Sequence, residues 1–103
     1  MGVILSDVHC NSRGLVHGAF LAALADNAIG LSCGNALRKQ GREAPGLVTT
    51  NLSIDYIGRA KVGEWIQTKV NVLKTGRTLC VATASLETET SAVARANATF
   101  QGV

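Results

Sequence analysis

Four alanines at every second position of one stretch, Ala92, Ala94, Ala96 and Ala98, constrain this chain more than any other feature. Period-two spacing belongs to a β-strand, whose alternate side chains share a face, so Arg95, Asn97 and Thr99 point the other way. A face of methyl groups lets something bulky lie close to the backbone. Cys80, Ala82 and Ala84 repeat the device upstream, so two strands offer the same low surface.

The segment suited to lie on that surface is Gly18 to Cys33, rich in the helix formers Ala and Leu, with Gly34-Asn35 as its expected stop. Steps of 100° put Phe20, Leu24, Ala28 and Leu31 on one stripe, expected to face the sheet. Val3 to Val8 reads as a short strand, followed by turn chemistry at Asn11-Ser12-Arg13-Gly14. Lys39 to Gly46, with two glycines and Pro45, reads as a polar loop. Leu52, Ile54 and Tyr56 alternate with Asn51, Ser53 and Asp55 as in a half-buried strand, and Gly58 to Gly63 breaks that pattern. Trp65 to Leu73 and Leu79 to Leu86 are two further strands joined by a hairpin at Lys74-Thr75-Gly76-Arg77, and Ala92 to Phe100 is the last.

The expected architecture is therefore α+β, an antiparallel sheet wrapped around one long central helix. At 103 residues it forms a single domain over residues 1–103 that buries roughly two-thirds of its unfolded surface. One helix cannot cover both faces and both edges of such a sheet, so edges and apolar patches remain. Association through an edge strand resolves both, which makes a dimer the expected minimal unit.

The net charge of +3 is spread over scattered lysines and arginines, and aromatics make up only 4% of the chain. Nucleic-acid binding calls for a clustered basic stripe with aromatic platforms, so a small anionic molecule is the better partner. Cys10, Cys33 and Cys80 show no C-x-x-C spacing, which points to neither a zinc site nor a disulfide framework and makes a reducing cytoplasm the expected location. No unbroken apolar run reaches the roughly 20 residues of a membrane span, and the start lacks signal-peptide features. Met1-Gly2 to Ser6 fits the loose myristoylation pattern, but the same residues read as a strand.

One acid interrupts the helix. Asp26 shares its stripe with Ala22, Ala23, Gly30 and Cys33, all small, so another molecule or subunit could approach it closely. The plain reading puts Asp26 and Asn27 on a solvated helix side. Against it, a solvated stripe carries several Lys, Glu or Gln residues, and none occurs between His17 and Cys33. A carboxylate in apolar surroundings becomes a stronger base. Ahead of the helix, unpaired first-turn N–H groups and the positive end of the macrodipole suit a developing oxyanion, and Gly18 would admit a ligand carbonyl close to the backbone.

Asn11-x2-Gly14-x2-His17-Gly18 followed by Leu24-Ala25-Asp26 resembles the N-x2-G-x2-H-G-G and L-x-D signature of hotdog-fold acyl-CoA thioesterases of the phenylacetate-pathway and THEM type. Asn51 to Tyr56, Ala60-Lys61-Val62-Gly63-Glu64 and Lys74 to Arg77 are similar to that family as well. The resemblance implies the same helix-in-sheet fold, dimers often paired into homotetramers, and active sites between subunits. It implies Asp26 as the carboxylate acting on an acyl-CoA thioester, as general base for water or as nucleophile. The Gly18 N–H would polarise the carbonyl, Asn11 would position substrate or water, His17 would support the loop, and Thr49 falls where the family has a hydroxyl near the acid. The thiolate leaves readily, so the scheme implies no metal and no cofactor beyond the coenzyme A of the substrate.

Arg59, Lys61, Lys74 and Arg77 lie in turns where they could meet the coenzyme A phosphates, although solvated surface charge accounts for each singly. Two departures from the family pattern stand out. Ala19 replaces the second glycine of H-G-G, and the chain starts at or inside the first strand, which leaves the acyl group open among small, medium and aryl types. A noncatalytic hotdog module that binds acyl-CoA or serves in assembly is the alternative. A hotdog dehydratase fits less well, because Asp7-Val8-His9-Cys10-Asn11 has related letters in the wrong order and lacks proline.

Overall fold

Two rows of side chains crossing four strands shape the floor on which the helix rests. In the computed structural model, which describes residues 1–43 and 46–102, the strands are β1 (Gly2–Ile4), β2 (Leu47–Tyr56), β3 (Trp65–Thr75), β4 (Leu79–Glu87) and β5 (Ala92–Gly102), with the single long helix α1 (Gly18–Lys39) between β1 and β2. They form one antiparallel sheet in the order β1-β3-β4-β5-β2. Register aligns Val70, Ala84, Ala96 and Ile54 in one row, and Val72, Ala82, Ala98 and Leu52 in the next. Large residues stand on the outer strands and alanines in the middle, which makes a trough. Four strands at about 4.8 Å spacing are wider than a helix body of about 10 Å, yet α1 touches β2, β3, β4 and β5, so the sheet curls around it.

The core follows from that fit. Leu21, Ala25, Ile29 and Cys33 of α1 are buried against Ala82, Ala84, Ala96, Ala98 and Phe100 in one cluster. By length and composition α1 is long and apolar enough to cross a bilayer, even though the sequence has no unbroken apolar run of that size. Here its apolar side packs into the trough.

Several boundaries differ from the sequence reading, each for a local reason. The helix does not stop at Gly34-Asn35 but runs on to Lys39, because Leu37 extends the buried side one turn past Cys33. Tertiary burial outweighs the roughly 1 kcal/mol helix penalty of Gly34. The real stop is Gly41, at φ +72, with the Gly41 N–H donating to the Arg38 carbonyl and the Arg42 N–H to that of Leu37. This is a Schellman closure, which only glycine adopts without strain. The polar loop expected over Lys39 to Gly46 begins after Lys39, and its Ala44 and Pro45 lie outside the described residues.

The first strand is shorter than Val3 to Val8. After Leu5 the chain enters a 3-10 turn at Asp7–His9, where His9 Nδ1 accepts from the Ser6 N–H at 3.0 Å, and Val8 is left exposed. The alanine row begins at Ala94, not Ala92. A bulge opposite Leu86 and Glu87 turns Val93 inward and leaves Ala92 exposed. The buried stripe of α1 is also rotated from the one expected: Leu24 and Ala28 are buried, but Phe20 is only half-buried and Leu31 is 51% exposed.

Candidate active site

Asp26 lies near the middle of α1, half-buried, beneath β2, an edge strand of the sheet. Its Oδ1 accepts a hydrogen bond of 2.6 Å from the Thr49 hydroxyl. A bulge in β2 makes that bond possible. Strict alternation from Leu52 and Ile54 would turn Thr50 toward the helix, but the register shift between Thr49 and Asn51 pairs Thr49 with the inward-facing Phe100. Thr50 instead donates to the Thr99 carbonyl at 3.0 Å. The bulge thus re-aims one hydroxyl at the acid. A Thr49→Val protein, which keeps the shape and removes the donor, is expected to lose about 10- to 150-fold in kcat for a reaction that uses Asp26, as befits one hydrogen bond to a charged group. Steady-state kinetics beside a thermal melt would measure it.

The chain itself fills part of the small-residue lane around Asp26. The Phe100 ring lies against Gly30, where an added Cβ would come within 3.1 Å of it, and Cys33 is fully buried. Burial, helped by the side-chain interaction with Cys80, pushes the Cys33 thiol up to about 12, so it stays protonated and unreactive. The other side of α1 is not covered by the described residues: Ala19, Ala23 and Asn27 are exposed and carry no charge.

Asn11 organises the loop before the helix. Its Oδ1 accepts from the Arg13 N–H at 2.9 Å and the Leu15 N–H at 3.2 Å, and its own N–H donates to the Leu15 carbonyl. His17 is the N-cap residue of α1. Its backbone does the work, donating to the His9 carbonyl at 2.9 Å and accepting from Phe20 and Leu21, while its ring is exposed and makes no capping bond. Among the described residues, no backbone carbonyl accepts from the N–H groups of Gly18 and Ala19.

Gly18 opens onto a recess of about 230 Å³ that Asn11, Leu21, Tyr56 and Arg59 also line. Asp26 is not part of it. The two lie eight residues apart on one helix, about 12 Å along its axis, so one thioester carbonyl cannot meet both within a single chain. The structure brings together Asn11 with Gly18 and Thr49 with Asp26, in two separate places.

The basic residues are divided as well. Arg59 and Lys61 precede β3, whereas Lys74 lies one residue before its end and Arg77 in the following hairpin. An 11-residue strand of about 35 Å separates the pairs, so the four cannot hold one phosphate group within a chain. Tyr56 is the residue at the site to which the sequence reading gave no role. Alternation placed it on the inward face, but nothing local tells which turn of a helix 38 residues away it meets.

The profile of the thioesterase superfamily matches residues 13–95. A Pseudomonas aeruginosa protein named as an esterase is 34% identical over 96 residues, which cover 93% of this chain and 69% of that one. Human acyl-coenzyme A thioesterase 13 is 37% identical over 82 residues, 80% of this chain and 55% of that protein, so the chain spans little more than half of that relative's length. The crystal structure of zebrafish thioesterase superfamily member 2 superposes with a TM-score of 0.87 at 31% identity, covering 99% of this chain and 72% of that chain.

Proposed function

This chain belongs to the thioesterase superfamily, and from that premise we propose that it hydrolyses the thioester of a small, medium or aryl acyl-CoA at a site shared between two copies. The observation that carries the reading is the Asp26 carboxylate, held by Thr49 under an open sheet edge and out of reach of its own helix start. Pairing through β2 places a second copy over the uncharged side of α1. It also supplies Asp26 of one copy with the Gly18 end of the other. Two such dimers form the homotetramer.

In the proposed reaction, Asp26 takes a proton from water as the water oxygen attacks the carbonyl carbon, or attacks that carbon itself. The Gly18 N–H receives the developing oxyanion, with Asn11 and the His17 backbone fixing the loop that presents it. A donor so placed is typically worth about 10²- to 10³-fold in turnover. The carbon–sulfur bond then breaks, and coenzyme A leaves as a thiolate that takes up the proton; where Asp26 is the nucleophile, water hydrolyses the acyl-aspartyl anhydride that forms, releasing the acid, restoring the carboxylate and supplying that proton. Thiolate is a good leaving group, so the step calls for neither a metal nor an electron carrier. The Arg59 and Lys61 pair and the Lys74 and Arg77 pair remain separate candidates for phosphate contact.

Complementation tests the shared site. Asp26→Asn removes the base, and Gly18→Pro removes the oxyanion donor at the first helical position, where His17 already has the extended ψ of 135° that a residue before proline prefers. Because the proline ring also crowds Tyr56, a thermal melt confirms that this variant folds. Each protein alone is expected to be inactive toward a panel of acyl-CoAs read by thiol release. Co-refolded, they should recover about a quarter of wild-type activity, because half of random dimers are mixed and each mixed dimer keeps one intact site of two. A mixture as inactive as its components places both groups in one chain and refutes the shared site.

A further inference from the structure

The geometry points to Tyr56 as a positioning residue that fixes the first turn of α1, and with it the direction of the Gly18 N–H; this rests on the thioesterase reading above. The Tyr56 hydroxyl donates to the Gly18 carbonyl at 2.8 Å, an oxygen that also accepts within the helix ladder. The ring lies flat enough on Gly18 that an added Cβ there would come within 3.1 Å of Cζ and 3.2 Å of Cε1. Tyr56 is the last residue of β2 and pairs with the fully buried Ala94, so its backbone is anchored in the sheet while its phenol reaches the helix start.

Such a tether has a reason at this position. Helix ends fray, and glycine restrains its own backbone less than any other residue. Gly18 combines both weaknesses at the amide that must point at one oxygen. The phenol holds the peptide plane that follows Gly18 and the ring blocks the near side of the same residue, so the Gly18 N–H, which lies in the plane before it with the His17 carbonyl, is fixed through the restrained φ and ψ of Gly18. A bulkier residue at 18 would displace the ring, so the glycine and the tyrosine require each other. The phenol meets the backbone rather than the reacting atoms and therefore acts through Gly18.

Tyr56→Phe keeps the ring and removes only the hydroxyl. It is expected to lower kcat roughly two- to twelvefold, the range of one neutral hydrogen bond, with KM and the melting temperature unchanged. Amide hydrogen exchange at Ala22, whose N–H bonds the same Gly18 carbonyl, should quicken while that of Ile29 stays fixed. Tyr56→Leu, which loses the ring too, should lower kcat further. A raised KM with unchanged kcat makes Tyr56 a wall of the substrate pocket and overturns the assignment, as does unchanged kcat in a protein whose turnover depends on Asp26. If turnover proves independent of Asp26, the thioesterase reading has failed by itself, and the exchange rate at Ala22 decides alone: unchanged exchange removes Tyr56 from the helix start.

Discussion

An Asp26→Asn protein is expected to melt within about 0.5 kcal/mol of wild type and to lose acyl-CoA turnover by about 10³-fold. The fold should survive because asparagine matches aspartate in shape and its Oδ1 can still accept from the Thr49 hydroxyl, the one side-chain bond Asp26 makes among the described residues. Substitutions that leave packing and partners in place stay near that stability range. The chemistry should not survive. An amide has no proton affinity to draw a proton from water and is too weak a nucleophile to attack a thioester, and general base catalysis alone contributes about 10²- to 10⁴-fold. Thiol release from an acyl-CoA, measured beside a thermal melt, separates the two effects. Turnover within tenfold of wild type in a folded Asp26→Asn protein would assign Asp26 to structure and refute its role as base or nucleophile.

That acid could be singled out from sequence because its surroundings were wrong for a solvated stripe, whereas its partner could not. The Asp26–Thr49 bond spans 23 residues and depends on a one-residue bulge, and two adjacent threonines give period-two reasoning no means to choose between them. Thr49 was reached through family resemblance. The trough was legible for the opposite reason. Alanine at alternate positions of β4 and β5 is a backbone statement, and the register only had to align the rows, although the bulge near Glu87 cost the row its first member. Orienting the helix was harder, because Ala25, Ala28, Cys33 and Gly34 are all buried. Where the floor is alanine, small residues go inside and side-chain size stops marking the buried face. A stripe centred on Phe20 and Leu31 was the natural choice, and the one centred on Leu21, Ala25 and Ile29 is the real one.

Ile29→Ala tests that orientation and should destabilise the protein by about 2–5 kcal/mol, near the upper end. Ile29 is fully buried in α1 and belongs to the cluster that holds the alanine rows. Cavity cost depends on how far neighbours can relax into the space. The floor here is Ala82, Ala84, Ala96 and Ala98, whose methyl groups have no rotamers to swing and whose backbones are paired in central strands. Helix and sheet would have to approach as whole elements to close the gap, and Val70, Val72, Leu52 and Ile54 on the rims resist that movement. At roughly 4–8 °C per kcal/mol for a domain of this size, the melting temperature should fall by about 15–40 °C. Leu31→Ala removes a comparable volume from the exposed side and should cost under about 0.5 kcal/mol in the single chain. Denaturant unfolding of both variants at several protein concentrations gives the comparison. Leu31 lines a recess with Met1, Thr68 and Val70, on the flank of α1 away from β2, so the losses at the two positions should differ at every protein concentration. Equal, concentration-independent losses at the two positions would mean that the helix is rotated from the orientation described.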